Sequence, residues 1–390
     1  MASKDRLCKI FAKADIKIIN NGSNEQVRSW DIIVNNKNFY DTAIRNGSLG
    51  FGESYMDNWW SCQNLDEFFY KLLKTNISQH FKYSDILFII KSKLFNLQSL
   101  SRAFKVGERH YDIGNDLYKV MLDKRMVYTC GYWENAQNLD EAQEAKLDLI
   151  CKKLNLKPDM HILDIGCGWG SFAKYAAEHY NVKVTGVTIS KEQIKLGQHL
   201  CKNYDVNLLL MDYRDLPKLK IQFDRIVSIG MFEHVGVKNY RKYMEVANHC
   251  LVTEGIFLLH TIGKNISSKI GEPFFHKYIF PNGMIPSIQQ ISKSIEKLFT
   301  IENLQNIGPH YDKTLMNWYE NFEKNWPKLS ADNPKYDERF FRLWQYYLLS
   351  CAGSFRARHC QVWQIAMTKL HNQNQSKDLY LKEKINENRY

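Results

Sequence analysis

An α/β fold, a parallel sheet with helices on both faces behind a smaller and mostly helical N-terminal domain, is what the sequence predicts. Three observations carry this. From about residue 145, short apolar runs alternate with helical patterns, as expected for a parallel sheet covered on both sides. At His161–Gly170 an apolar strand runs straight into a glycine-rich bend, HILDIGCGWG. The first hundred residues lack the alternation and are irregular and aromatic. A chain of 390 residues also exceeds what one core usually holds.

Taken in order, Leu65, Phe68, Phe69, Leu72 and Leu73 recur at helical spacing. Before them, the glycines of Gly47-Ser-Leu-Gly-Phe-Gly52 predict turns and close backbone approach. A helix is expected over Leu139–Leu154, closed by Pro158, then a strand at His161–Ile165 and a helix at Ser171–Tyr180. Val182–Val187 reads as a strand, Lys191–Tyr204 as a helix, and Asn207–Leu210 and Phe223–Ile229 as strands. A helix at Asn239–Cys250 precedes a strand at Gly255–Thr261. The aromatic, Gly- and Pro-rich stretch Pro273–Pro334 reads as an insertion over the sheet. Phe340, Trp344, Tyr347, Leu348, Cys351 and Phe355 trace one helical face, and Trp363, Ile365 and Met367 alternate as a last strand. The expected organisation is an N-terminal domain over 1–100, a linker and cofactor-covering segment over 101–125, and a catalytic domain over 126–390 with an insertion at about 264–335.

Composition narrows the partners. With 53 basic and 42 acidic residues the net charge is +11, which draws the surface to polyanions such as nucleic acid or anionic phospholipid. The apolar run Ile86–Ile90 stops at Lys91, far short of a bilayer span of ~18 residues. The start, Met1-Ala-Ser-Lys-Asp-Arg, lacks a signal-peptide core. The basic stretch Ile86–Arg109 reads as either a solvated helix with a linker or a surface lying on an anionic membrane. The nine cysteines form no CxxC pair, which points to reduced thiols, and no metal-ligand spacing occurs. A cytoplasmic protein is the expectation.

The bend is the most specific local signal. Asp164 ends the strand, and Gly166, Gly168 and Gly170 follow with Cys167 between them. Dinucleotide sites use G-x-G-x-x-G to seat a pyrophosphate. This G-x-G-x-G has no basic residue in its loop, and Asp-x-Gly-x-Gly-x-Gly resembles the first motif of S-adenosylmethionine (SAM)-dependent methyltransferases. After the next strand, where such enzymes place an acidic residue for the ribose, this chain has Thr188 and Gln193. Asp212 and Tyr213 follow the third strand, where adenine would be received.

Further segments extend the resemblance. They are Gly47-Ser-Leu-Gly-Phe-Gly-Glu-Ser-Tyr-Met-Asp, His110-Tyr-Asp-Ile-Gly-Asn-Asp, Tyr128-Thr-Cys-Gly-Tyr-Trp, Gly230-Met-Phe-Glu-His-Val-Gly, His260-Thr-Ile-Gly, Tyr278-Ile-Phe-Pro-Asn-Gly and Cys351-Ala-Gly-Ser-Phe-Arg-Ala-Arg. Together, from about residue 5 to about 370, they resemble the bacterial cyclopropane-fatty-acyl-phospholipid synthases, which are related to the mycolic acid cyclopropane synthases. The resemblance implies a seven-stranded, Rossmann-like methyltransferase sheet. It also implies transfer of the SAM methyl to a cis double bond of an acyl chain in a membrane phospholipid, closing a cyclopropane ring, with bicarbonate as proton acceptor. On this chain it implies catalytic roles for Cys130, Glu233, His260, the backbone of Ile262, and Tyr311, with Cys351 near the site. Cofactor contacts would fall on Tyr111, Tyr128, Thr129, the bend from Asp164 to Gly170, Thr188, Gln193, Asp212, Tyr213 and Arg214. A homodimer and peripheral attachment to the inner face of the cytoplasmic membrane are implied as well.

This chemistry makes demands the residues can meet. An alkene is a weak nucleophile, so positioning must supply much of the rate. The cation left by methyl transfer must be kept from water. Aromatic faces stabilise a cation without bonding to it, and Tyr111, Tyr128, Tyr132, Trp133, Phe232 and Tyr311 are available. A carboxylate beside the cation would alkylate itself, so Glu233 is expected to orient the anion and His260 rather than act as the direct base. Cys351, on an apolar helical face, is expected to pack. The alternatives are a methyltransferase making methyl-branched acyl chains or acting on a small amine, and a nucleic-acid methyltransferase. The last is disfavoured because no Asn/Asp-Pro-Pro-Tyr-type site or RNA-binding motif occurs.

Overall fold

The computed structural model describes residues 3–75, 114–268, 270–370 and 372. Tyr111 and the basic stretch Ile86–Arg109 lie outside the described residues.

The N-terminal region folds around its own aromatic core. Helices α1 (Ser3–Ala12), α2 (Asn38–Met56) and α3 (Leu65–Lys74) pack with three short strands, β1 (Ile18–Asn20), β2 (Ile32–Val34) and β3 (Trp60–Ser61). Phe11, Phe39, Phe51, Trp60 and Phe68 fill the centre. The glycine-rich run expected to turn is instead helical. Only Gly47 departs, with φ +55° and ψ −137°, and it kinks α2. The remaining glycines serve close approach: a Cβ on Gly52 would stand 2.3 Å from the Phe274 ring.

After α4 (Asn115–Met121), helix α5 (Leu139–Lys153) leads into the main sheet. Its strands are β4 (His161–Ile165), β5 (Lys183–Thr188), β6 (Val206–Leu210), β7 (Phe223–Ile229), β8 (Leu251–Lys264), β9 (Phe299–Asn306) and β10 (Cys360–Lys369). Their spatial order is β6-β5-β4-β7-β8-β10-β9, with β10 antiparallel to both neighbours. Ile162, Leu163 and Ile165 are fully buried because helices cover both faces, including α6 (Ser171–Tyr180), α7 (Lys191–Cys201) and α8 (Tyr240–Cys250). β4 pairs with β5 on one side and β7 on the other. The chain order therefore reverses between β4 and β7, and a crevice is expected beyond their C-terminal ends.

The expected insertion at about 264–335 is only partly one. Helices α9 (Pro273–Tyr278) and α10 (Ile288–Ile295) do lie between strands. The rest supplies edge strand β9 and the long helix α11 (Pro309–Asp332), which packs along α12 (Glu338–Arg356). Strand β9 escaped notice because it is largely polar and half-exposed, as FTIENLQN shows. Helix α12 also joins the two regions. Arg342 Nε and Nη2 donate to the carbonyls of Tyr55 and Trp60, at 2.6 and 2.9 Å. Arg356 bridges Asp66 at 2.8 Å and Asp312 at 2.9 Å. Among the described residues no helix is long and apolar enough to cross a membrane.

Candidate active site

The bend after β4 is built to admit a ligand. Gly166, Gly168 and Gly170 have φ of +87°, +56° and +79°, a region L side chains rarely adopt. A Cβ on Gly166 would strike Met231 Cγ at 2.5 Å, and one on Gly170 would meet Cys201 Sγ at 2.9 Å. At Gly168 the nearest atom would be Gln193 Nε2 at 3.9 Å. The first and third glycines thus allow close packing, while the middle one faces an open cradle. Backbone N–H groups of Gly166 and Cys167 donate to Val187 O, pinning the bend to β5.

Beyond β5, Thr188 donates to Gln193 Oε1 at 3.0 Å. That leaves the Gln193 amide nitrogen facing Gly168, a neutral donor where a carboxylate is usual. Asp212 is already engaged: Arg214 Nε and Nη2 donate to its two oxygens at 2.7 and 2.8 Å. Tyr213 is buried against Tyr243, ring centroids 4.9 Å apart. Its ring belongs to the buried cluster on that side of the sheet.

Asp164 is fully buried, and burial pushes its carboxyl up to about 7, opposed by Lys146. No hydrogen bond reaches this carboxylate among the described residues. Thr129 lies against the end of β7, since a Cβ on Gly230 would stand 2.6 Å from its Cγ2. The neighbouring Tyr128 shares a hydroxyl–hydroxyl bond of 2.8 Å with Tyr347 and packs on Trp318.

The residues expected to act in the reaction include Glu233 and His260, just past β7 and towards the end of β8. Glu233 follows β7 in a short 3-10 turn, Phe232–His234. Its Oε1 accepts from the Ile262 N–H at 2.6 Å, so this N–H, expected to meet an anion, is taken by Glu233 here. Its Oε2 is buried with no partner among the described residues. Burial raises the carboxyl to about 7, so the acid form is populated near neutrality. The Met284 N–H donates to Glu233 O at 2.7 Å, tying the 280–286 loop to the site.

His260 on β8 stands opposite Gln364 on β10, with Gln364 Nε2 3.3 Å from its Nδ1. An amide N–H donating there puts the imidazole proton on Nε2. Burial, reinforced by Lys146 and Lys153, holds the ring neutral. Tyr311, at the start of α11, packs on Phe355, and burial pushes its phenol up so that it stays neutral. Cys130 is completely buried and its thiol is pushed up by burial. The Cys351 thiol is also raised by burial, which keeps it protonated and unreactive.

Sequence reasoning missed four polar residues behind this site. Gln143 and Lys146 on α5 hold the Thr129 carbonyl and hydroxyl, at 2.8 and 2.9 Å. Thr314 Oγ1 accepts from the Gly131 N–H and from Trp133 Nε1, at 3.1 and 2.9 Å. Gln364 is the fourth. A signal existed for two of them: Leu139, Gln143, Lys146 and Ile150 share the buried stripe of α5, where an amide and an ammonium are out of place.

The sheet order and the glycine bend are those of a SAM-dependent methyltransferase. The family model for mycolic acid cyclopropane synthetase matches residues 98–365, and the chain belongs to that family. It is 54% identical over 343 residues to the cyclopropane-fatty-acyl-phospholipid synthase of Escherichia coli strain K12, covering 87% of this chain and 88% of that one. Cyclopropane mycolic acid synthase 1 of Mycobacterium tuberculosis is 34% identical over 289 residues, covering 69% of this chain and 99% of that one. Among solved structures, the cyclopropane synthase MmaA2 of M. tuberculosis superposes with a TM-score of 0.63 at 32% identity, covering 68% of this chain and 97% of its own. The mycolic acid cyclopropane synthase CmaA1, complexed with SAH and CTAB, gives 0.62 at 33%, covering 68% and 98%.

Proposed function

We propose that this enzyme transfers the methyl carbon of SAM to the cis double bond of unsaturated acyl chains in membrane phospholipids and closes a cyclopropane ring. The observation that carries the reading is the 54% identity to the E. coli synthase, which spans 87% of this chain and so extends beyond the family-model match over 98–365.

SAM, when bound, supplies an electrophilic methyl group. The open cradle at Gly168 and the Gln193 amide beside it suit it, because neither is built for phosphate. The aromatic walls do the rest. Tyr128, Phe280, Trp318 and Tyr347 pack as one cluster, and Tyr311 adjoins it through Trp318. Such walls exclude water and stabilise positive charge on the acyl chain.

The proton lost on ring closure needs an acceptor that does not attack the cation. A bound bicarbonate would supply that acceptor, and the residues fit it. Glu233 Oε2 is an orphaned buried atom that in its acid form donates, and the neutral His260 presents an Nε2–H. Ile262 N–H would have to be shared with Glu233. Cys130 and Tyr311 line the same chamber as neutral groups. Cys351 packs behind it.

The N-terminal domain and the basic surface serve, in this reading, to dock a homodimer on the inner face of the membrane. Incubation with SAM and vesicles of monounsaturated phospholipid tests the activity. Acyl chains heavier by one methylene, without an olefinic proton signal, are expected by mass spectrometry and NMR. Unaltered lipid from folded protein would refute it.

A further inference from the structure

Lys146 has no part in the chemistry above, yet it sits where an ammonium is expensive to keep. It is 0% exposed, in the middle of α5, and its Nζ donates to the neutral Thr129 hydroxyl at 2.9 Å. An ammonium so placed has lost its hydration, and charge nearby must compensate. The titratable groups facing it are Asp123, Cys130 and Asp164, and His260 feels it from β8. Cys130 is a buried thiol and His260 is neutral, so the compensation falls to the two carboxylates.

Asp164 is the more informative of these. Asp123 already accepts from the N–H groups of Arg125 and Val127, at 2.9 and 2.8 Å. Asp164 has no such donors among the described residues. Apart from Lys146, the titratable groups around it are the Cys167 and Cys201 thiols and the Tyr243 phenol, all raised by burial and neutral near pH 7. Lys146 is therefore the cation whose charge opposes the burial of this carboxylate among the described residues.

We propose that Lys146 is a positioning residue for the cofactor: it fixes Thr129 against the end of β7 and keeps Asp164 anionic beside the glycine bend, ready for the cationic methionyl end of SAM. This rests on the SAM reading given above. Burial holds the Asp164 carboxyl near 7, which leaves its ionisation sensitive to the loss of one neighbouring charge.

Titration calorimetry of the full chain with SAM, and with its uncharged-sulfur product S-adenosylhomocysteine, tests this. Wild-type affinity for SAM should fall as pH drops through about 7. Lys146→Met should weaken SAM ~10-fold or more, move that inflection to higher pH, and weaken the product less than SAM. Adding Lys146→Met to Asp164→Asn should cost little further affinity. Equal losses for both ligands with an unmoved inflection would make Lys146 a packing residue and overturn the proposal. Should Lys146→Met fail to fold, Asp164→Asn alone decides, because persistence of the inflection would overturn it. Wild type that binds no SAM would sink the functional reading as well, whereas normal binding by Lys146→Met would sink only this inference.

Discussion

Glu233 concentrates the electrostatics of the site in one side chain. It accepts one backbone N–H and leaves its second oxygen buried without a partner among the described residues. Glu233→Gln should preserve the fold and lower turnover by ~10²-fold or more. The same substitution should change how stability depends on pH. The folded carboxyl is raised from 4.5 to about 7, so its stabilising protonated form is complete below about pH 4.5 and lost as pH rises to about 7. Glutamine does not ionise and loses nothing. Urea unfolding across that window should show Glu233→Gln gaining about 3 kcal/mol relative to wild type. Cys351→Ser should leave turnover nearly unchanged, measured by the same vesicle assay, because its thiol is protonated and packed. At this scale the sequence exposed residues that stand out by motif: the three glycines, Glu233 and His260. It hid residues such as Thr314 and Gln364, whose roles come from partners 183 and 104 positions away in the chain.

Elements differ in how plainly they announce themselves. Strand β4, helix α6 and strand β5 were readable because their apolar periods are clean and punctuated by glycine or by polar caps. Helix α2 was not, since three glycines in one turn and a half argue locally against a helix. Packing overrides that preference: Gly52 lets Phe274 of α9 enter the N-terminal core. Gly52→Ala should therefore cost ~1–3 kcal/mol, seen as a lower Tm. The bend makes the complementary case. Gly168→Ala strains a positive φ but meets no neighbour closer than 3.9 Å. It should lower stability modestly while filling the cradle, so the Kd for SAM should rise far more than the Tm falls.

At the scale of the molecule, the N-terminal domain and the sheet domain are joined by α12. Arg356 ties α3 to α11 through Asp66, Glu67 and Asp312. Arg356→Met should raise hydrogen exchange across residues 3–75 before it affects the strands. The net charge of +11 suits an anionic membrane, and Lys91→Glu with Lys93→Glu should weaken binding to anionic vesicles in a flotation assay. The strand–helix alternation of the seven-stranded sheet and the aromatic character of the first 75 residues were legible from the sequence. The edge strand β9 and helix α11 were not, because their register depends on β10 and α12, which come later in the chain.

The central claim is that the site removes a proton from the transferred carbon instead of letting it stand as a methyl branch. SAM bearing a trideuterated methyl group, given to the enzyme with monounsaturated phospholipid vesicles, tests it most directly. Ring closure predicts acyl chains that retain two of the three deuterons in a new CD2 bridge. Retention of all three deuterons on a branching methyl would contradict the account.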